Sequence, residues 1–429
     1  MPREVRPRLP ATVVLLGFTS LFTDIGTEMI FPLLPVFLVE TLQAGPTYLG
    51  LVEGAADTVA SMLKLVSGVI ADTVQRRKPL VLLGYGLASL VRPLVAVATH
   101  PWHVLAVRVT DRVGKGLRSS PRDALIADAA GERAGRAFGF HQAMDNVGAV
   151  FGPLLATALL AGHVPIRSIF WIAVIPGAIA TVLAAIIRET PRRHAPAPAL
   201  APESSPASTP GPTTARALAP APSPALAPAP SLATDKAGPV FGQPLRLYLA
   251  ILALFSLGNS SDAFLLLRAR SLGLTTAALP ILWSVLNLSK VVWAYLGGAL
   301  ADRVPRARLI AVGWGVYGLV YFGLGAATGP WHVWALFVLY GVFYGLTEPV
   351  EKALVKDLAR ADARGRAYGA YNFIVGITVL PAGLLTGALW KVWGATLALD
   401  VGAAFAAIAA ALVLTWDSWR AKHSGVERF

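Results

Sequence analysis

The sequence predicts an all-α membrane protein: twelve transmembrane helices in two pseudo-symmetric bundles of six, with both termini cytoplasmic. Three observations carry that prediction. Hydrophobic residues make up 55% of the 429, mean hydropathy is +0.60, and only 14% of residues are charged, against about 25% in a soluble domain. The apolar runs are long and continuous rather than alternating, which excludes a β-barrel. The second half of the chain also repeats the first at a nearly constant distance.

The predicted spans are 11–39, 46–71, 79–98, 102–127, 138–161 and 168–187, then 245–267, 277–301, 308–327, 331–356, 367–389 and 395–416. Each is close to the roughly 20 residues that a bilayer core requires. The first span follows a basic start and resembles a signal peptide. Its apolar run continues through Asp24 and Glu28 to Leu38 without a small-residue cleavage site, so it is expected to be retained. With the N-terminus inside, the inner segments hold 22 Lys and Arg and the outer loops 4. That bias places both ends on the cytoplasmic face of the cell membrane.

The domain reading follows. Residues 1–10 form an N-terminal tail, 11–189 the first bundle, 190–244 a linker, 245–416 the second bundle and 417–429 a C-terminal tail. The linker is rich in Pro, Ala and Ser, poor in aromatic and β-branched residues, and expected to be an extended disordered tether.

Several function classes drop out. The net charge of +13 sits in short loops, as membrane topology requires, so nucleic acid is not an expected partner. There is no cysteine, hence no thiolate metal site, disulfide or thiol nucleophile. No phosphate-binding P-loop occurs, and Ser119-Ser120-Pro121 has no His partner that would make a nucleophile. The chain is expected to be no enzyme and to need no cofactor.

The repeat is explicit. Thr99-His100-Pro101-Trp102-His103-Val104 returns as Thr328-Gly329-Pro330-Trp331-His332-Val333; Gly68 and Asp72 return as Gly298 and Asp302; Arg136-Ala137-Phe138-Gly139 returns as Arg366-Ala367-Tyr368-Gly369. Two parallel six-span repeats joined by a long inner loop are the layout of secondary transporters with a midplane site.

The chemistry concentrates between Arg108 and Asp128. Basic residues at 108, 112, 115, 118 and 122 form one stripe on a helix. An ionisable group at membrane depth costs about 2.5–3.5 kcal/mol even on the lenient insertion scale, so such a stripe must face a polar cavity.

Three motifs then resemble the major facilitator superfamily, over all but the linker and tails. The loop after span two carries Gly68-Val-Ile-Ala-Asp72 followed by Arg76-Arg77-Lys78, and its second copy keeps Asp302-Arg303. The resemblance implies gating by Asp72, Arg76, Asp302 and Arg303, a carboxylate capping a helix or pairing with arginine. Span five carries Gly148-Ala-Val-Phe-Gly152-Pro153, similar to the helix-bend motif of drug/proton antiporters within the family; small residues four apart allow close helix approach. Span four carries Arg112-Val-Gly-Lys115-Gly116, where those antiporters have Arg-x-x-Gln-Gly.

The family layout places spans one, four, seven and ten around a central cavity. At about 1.5 Å per residue, Asp24 and Lys115 both lie roughly 20 Å from the inner face, Arg112 roughly 24 Å and Glu28 roughly 26 Å. Asp24 is therefore expected to face Lys115, and Glu28 to face Arg112, as proton carriers or as permanent ion pairs. Arg118, Arg122 and Asp145 are expected to serve gating, with Asp145 beside one of the two arginines. The second half contributes Asn259 and Asp262 from span seven and Tyr340, Tyr344 and Glu348 from span ten. The expected activity is proton-coupled efflux of a small amphiphilic, anionic or zwitterionic molecule by alternating access, in a monomer. A metal or metal-chelate exporter built on His141, Gln142 and Asp145, an importer and a lipid flippase are the alternatives.

Overall fold

In the computed structural model the described residues are 9–74, 76–130, 134–189, 241–301, 304–360 and 363–423, and they contain helices and no strand. The first half holds α1 (Ala11–Thr41), α2 (Pro46–Thr73), α3 (Lys78–Val97), α4 (Pro101–Ala130), α5 (Ala134–Ala161) and α6 (Ile166–Ile186). The second holds α7 (Gln243–Ser271), α8 (Ala278–Ala301), α9 (Arg306–Ala326), α10 (Pro330–Leu358), α11 (364–393) and α12 (395–423). Gly394 separates the last two with φ 89°, a left-handed conformation that glycine adopts without strain. Proline opens α2 and α10 in their first turn, where its missing N–H is no loss.

Eight helical stretches among the described residues are long and apolar enough to cross a membrane by length and composition, the last of them bent at Gly394. α2, α4 and α8 are not among these. α4 carries the basic stripe, and α2 carries Glu53, Asp57 and Lys64, which offset their apolar residues. The bundle has a membrane polarity. Val69, Leu90, Val182, Phe322 and Trp331 are exposed on the outside, while Arg92, Arg108, Asp111, Arg112 and Glu53 are buried.

The repeat is visible as geometry. α1 tightens at Phe31–Leu33 where Pro32 falls, and α7 is non-helical over 259–261, about the repeat distance later. Pro121 lies inside α4 as Pro349 lies inside α10; Pro153 and Pro381 are paired likewise in α5 and α11.

Two helix pairs make the most extensive contacts between the halves. α2 lies against α11 through glycine: a Cβ on Gly383 would come 2.6 Å from the Gly50 carbonyl oxygen. Along the same seam Thr47 donates to the Gly387 carbonyl at 3.0 Å and Thr58 to that of Gly376 at 2.8 Å. α8 lies against α5, Ser284 and Asn287 donating to the carbonyls of Val150 and Ala149 at 3.0 and 3.1 Å. Arg270 and Glu40 close the end at which α2 begins, with Nε to Oε1 at 2.7 Å. Towards the opposite end the interior widens into cavities.

Some expectations lie outside what is described. Asp302, Arg303, residues 1–8 and linker residues 190–240 are among the undescribed positions, and of Asp72 only the helical backbone is described. Arg76 is exposed. At the same end Arg77 Nη1 meets Asp128 at 2.6 Å. Glu189 accepts from the backbone N–H groups of Arg77 and Lys78 at 2.7 and 2.8 Å, a carboxylate on the start of α3 where the helix dipole favours it. Helix α12 continues to His423, beyond the expected limit at 416.

Candidate functional site: a charged cavity between the halves

The floor of the site is an ion network in the first half. Arg108 on α4 meets Glu53 on α2 with Nε–Oε1 at 3.0 Å and Nη2–Oε2 at 2.7 Å, the two-pronged geometry that a planar guanidinium favours. Arg92 on α3 donates to Asp111 on α4 through Nη2 at 2.8 Å and Nε at 3.2 Å. Its Nη1 reaches the Thr23 carbonyl of α1 at 3.3 Å. Asp111 also has Arg108 and Arg112 at 4.0 Å, so one carboxylate serves three guanidiniums. Arg112 Nε lies 3.0 Å from Asp57 Oδ1 on α2. Burying such groups is tolerable only when they are paired and hydrogen-bonded.

This corrects the expected pairing. Arg112 takes Asp57 rather than Glu28, and Glu28 accepts a 2.6 Å hydrogen bond from the Trp283 indole N–H of α8. Glu53, Asp57 and Arg92 are members of the site that the sequence reading did not assign. Asp24 and Lys115 both line the central cavity, of about 320 Å³, but among the described residues no ion pair joins them. Once the arginine pairs are formed, Asp24, Glu28, Lys115 and Arg118 are the cavity-lining charges that have no salt-bridge partner among the described residues, and Arg118 is turned onto the Tyr85 ring.

The span-five motif sets where two of these sit. A Cβ on Gly148 would lie 2.9 Å from the Asp24 Cβ, and one on Gly152 3.0 Å from the Glu28 Cβ. The two glycines therefore seat α5 directly behind the two carboxylates, while the carbonyls between them receive α8. Pro153, next in the chain, lies within the same helix.

In the second half Asp262 follows the break in α7, whose freed backbone groups are satisfied locally. Tyr317 donates to the Gly258 carbonyl at 3.0 Å, Tyr321 to that of Ser260 at 3.3 Å, and Ser261 Oγ accepts from the Ala263 N–H at 3.3 Å. The Asp262 carboxylate accepts from both Tyr340 and Tyr344 at 2.8 Å. Lys290 Nζ lies 3.7 Å from Oδ2, the oxygen that also accepts from Tyr344. Asn259 and Tyr344 line both the central cavity and a neighbouring one of about 310 Å³. Glu348 borders that neighbour and pairs with Lys352 at 3.0 Å.

The expected gating residues have their closest contacts elsewhere. Asp145 meets His141 at 3.5 Å, Arg118 lies over the Tyr85 ring at 4.5 Å, and Arg122 takes the adjacent Asp123 at 2.8 Å. Arg118, Arg122 and Asp145 nevertheless line one further cavity of about 470 Å³ with Asp24 and Lys115. Their flexible side chains find closer partners on their own or adjacent helices. The His141–Asp145 contact is internal to α5, and among the described residues no group of three or more His, Asp or Glu is placed to hold a metal.

The repeat relates the two walls residue by residue. At a spacing of 229 or 230, Arg92 corresponds to Tyr321, Glu53 to Trp283, Arg108 to Phe337, Asp111 to Tyr340 and Lys115 to Tyr344. These five ionic residues of the first half are replaced by aromatic rings in the second, whereas Arg112 and Asp57 correspond to Gly341 and Asn287. Those rings interlock: Tyr317 and Tyr321 stack at 4.1 Å, and Tyr340 and Phe343 at 5.6 Å.

The chain matches the Major Facilitator Superfamily over residues 16–383. It is 29% identical to an uncharacterized MFS-type transporter of Methanocaldococcus jannaschii over 392 residues, covering 90% of this chain and 89% of that one. It is 31% identical to the multidrug resistance protein MdtH of Photorhabdus laumondii over 144 residues, 33% of this chain and 36% of the relative. Among solved structures, a POT family transporter in complex with 5-aminolevulinic acid superposes with a TM-score of 0.73 at 12% identity, covering 98% of each chain. A bacterial homolog of the human lysosomal transporter Spinster, in an inward-facing state, gives 0.68 at 15% identity over 95% and 96%. At these identities the structures speak for the fold alone. The sequence match across most of the length makes the chain a member of the Major Facilitator Superfamily, a transporter of the secondary kind.

Proposed function

We propose that the protein exports a small amphiphilic, anionic or zwitterionic molecule in exchange for protons. It does so by alternating access, as a twelve-span monomer with both termini in the cytoplasm of a bacterial cell. One observation carries the reading: among the described residues Asp24 and Glu28 line the cavity without a salt-bridge partner, beside Lys115, which has none either. A carboxylate held by a guanidinium is poorly suited to take up a proton, because the pair stabilises its charged form. Glu53, Asp57 and Asp111 each have a guanidinium nitrogen within 3.0 Å; Asp24 and Glu28 have none among the described residues. Substrate anion and proton then compete around Lys115, which couples the two fluxes.

The antiporter-type glycines behind Asp24 and Glu28 support exchange over import. The resemblance to multidrug resistance proteins over part of the chain supports outward movement. Alternation would open the Glu40–Arg270 end as the cavity end closes, the halves moving about the α2–α11 and α5–α8 seams.

Reconstituted vesicles containing a pH-sensitive dye test the proposal, with a panel of toxic compounds first screened by growth of expressing cells. Substrate should drive proton movement in the wild type, and Asp24→Asn should abolish it while substrate exchange persists. Transport without proton movement, or full proton-driven transport by Asp24→Asn, would defeat the reading.

A further inference from the structure

Lys290 is the most unusual occupant of the cavity region. Its ammonium lies 3.7 Å from the centroid of the Tyr344 ring, 5.1 Å from that of Trp283 and 3.7 Å from an Asp262 carboxylate oxygen. Two aromatic faces and a carboxylate around one ammonium are the elements by which proteins recognise organic cations. Here the cation comes from the chain itself. Tyr340 and Tyr344 hold the carboxylate by their hydroxyls, so the acid and the Tyr344 ring remain in place whether or not Lys290 is present. Lys290 by contrast is on a flexible four-carbon stem, and no hydrogen bond fixes its Nζ among the described residues.

We infer that Asp262, Tyr344 and Trp283 form a binding site for the organic ammonium group of the transported molecule, and that Lys290 is a tethered occupant which the substrate displaces. The inference rests on the proposed transport function and narrows its substrate class to zwitterions with an exposed alkylammonium. The anionic end would lie towards Lys115, which lines the same cavity.

Trp283 gives the displacement a consequence. Its face receives the Lys290 ammonium while its indole N–H donates to Glu28 at 2.6 Å. The ring therefore stands between the cation site of the second half and a carboxylate of the first. Lys290 released from Asp262 is left beside Trp283, whose indole holds Glu28. Substrate entry thereby moves a positive charge towards Glu28 and links the cation site of the second half to the proton site proposed in the first.

The test is equilibrium binding of benzyltrimethylammonium to the purified full-length protein in detergent, with benzyl alcohol as the uncharged control. Lys290→Met should bind the cation about tenfold more tightly than wild type, the size of one favourable cation–π contact in a desolvated site. Adding Asp262→Asn or Tyr344→Ala to Lys290→Met should remove that gain, and benzyl alcohol should show none of these differences. Lys290→Gln serves as a second neutral variant, with a melting curve to establish folding. Binding by Lys290→Met and Lys290→Gln no tighter than wild type would overturn the inference. So would a gain that survives Asp262→Asn. If neither neutral variant folds, Lys290 is a fixed counter-ion of Asp262 and the inference falls. No gradient is involved, so the outcome is independent of whether transport is proton-coupled.

Discussion

Arg108 and Glu53 join α4 to α2 through two parallel hydrogen bonds, with the side chains 5% and 1% exposed. Such a pair is a commitment: removing either partner leaves a buried charge without compensation. Arg108→Ala and Glu53→Ala should each destabilise the protein by about 3–5 kcal/mol. A double change to leucine should cost far less than their sum, because the second half already fills the equivalent positions with Phe337 and Trp283. Thermal unfolding of the four proteins in detergent checks this. Additive losses would show that the two residues do not depend on each other.

Lys115 makes the opposite prediction. It faces the cavity, is exposed there and has no salt-bridge partner among the described residues. Lys115→Gln should change stability by no more than about 0.5 kcal/mol, yet weaken transport of an anionic or zwitterionic substrate by at least about tenfold. Melting temperature and vesicle transport measured on the same preparation separate the two effects.

The outline of the fold was legible because membrane helices announce themselves by length, and the repeat by matched residues such as Trp102 and Trp331. The break at Asn259–Ser261 was marked only by a polar cluster inside an apolar run. Partner choice was less legible. Helical rise gives the height of Arg112 and Glu28 but not the direction in which each points, and Asp57 proved to be the residue facing Arg112. Glu53 and Asp57, four apart on α2, and Arg92 on α3 carried the same signal as the α4 stripe, charge inside an apolar span. Trp283 carried no signal, since a tryptophan in a span is ordinarily packing or lipid-facing.

Glu351 is 6% exposed and accepts from Trp314 Nε1 at 3.1 Å and from Tyr371 at 2.8 Å. Glu351→Ala strands two buried donors and should cost about 2–6 kcal/mol, at about 1–3 kcal/mol for each unsatisfied group. Glu351→Gln keeps an acceptor and should cost distinctly less. Equal losses in the two variants, read from thermal unfolding, would contradict this account.

The Gly50–Gly383 contact makes a conformational prediction. Gly383→Val would push α2 and α11 apart at the closed end and shift the population towards the state open at that end. The chain contains no cysteine, so Glu40→Cys/Arg270→Cys supplies the only thiols. A bifunctional thiol reagent should cross-link that pair efficiently in the parent and poorly when Gly383→Val is added. Unchanged cross-linking would mean that the glycine seam does not govern closure.

The exchange of ions for aromatic rings between the halves bears on how such a protein can change over evolutionary time. In the first half Asp111 answers to Arg92, Arg108 and Arg112 at once, so a lone substitution there meets several dependents, and viable variants must arrive in combination. The rings of the second half are bound by shape, and one can be traded for another at modest cost. New cargo preferences should therefore arise by single steps on the aromatic wall, while the ionic wall drifts slowly and holds the inheritance of the family.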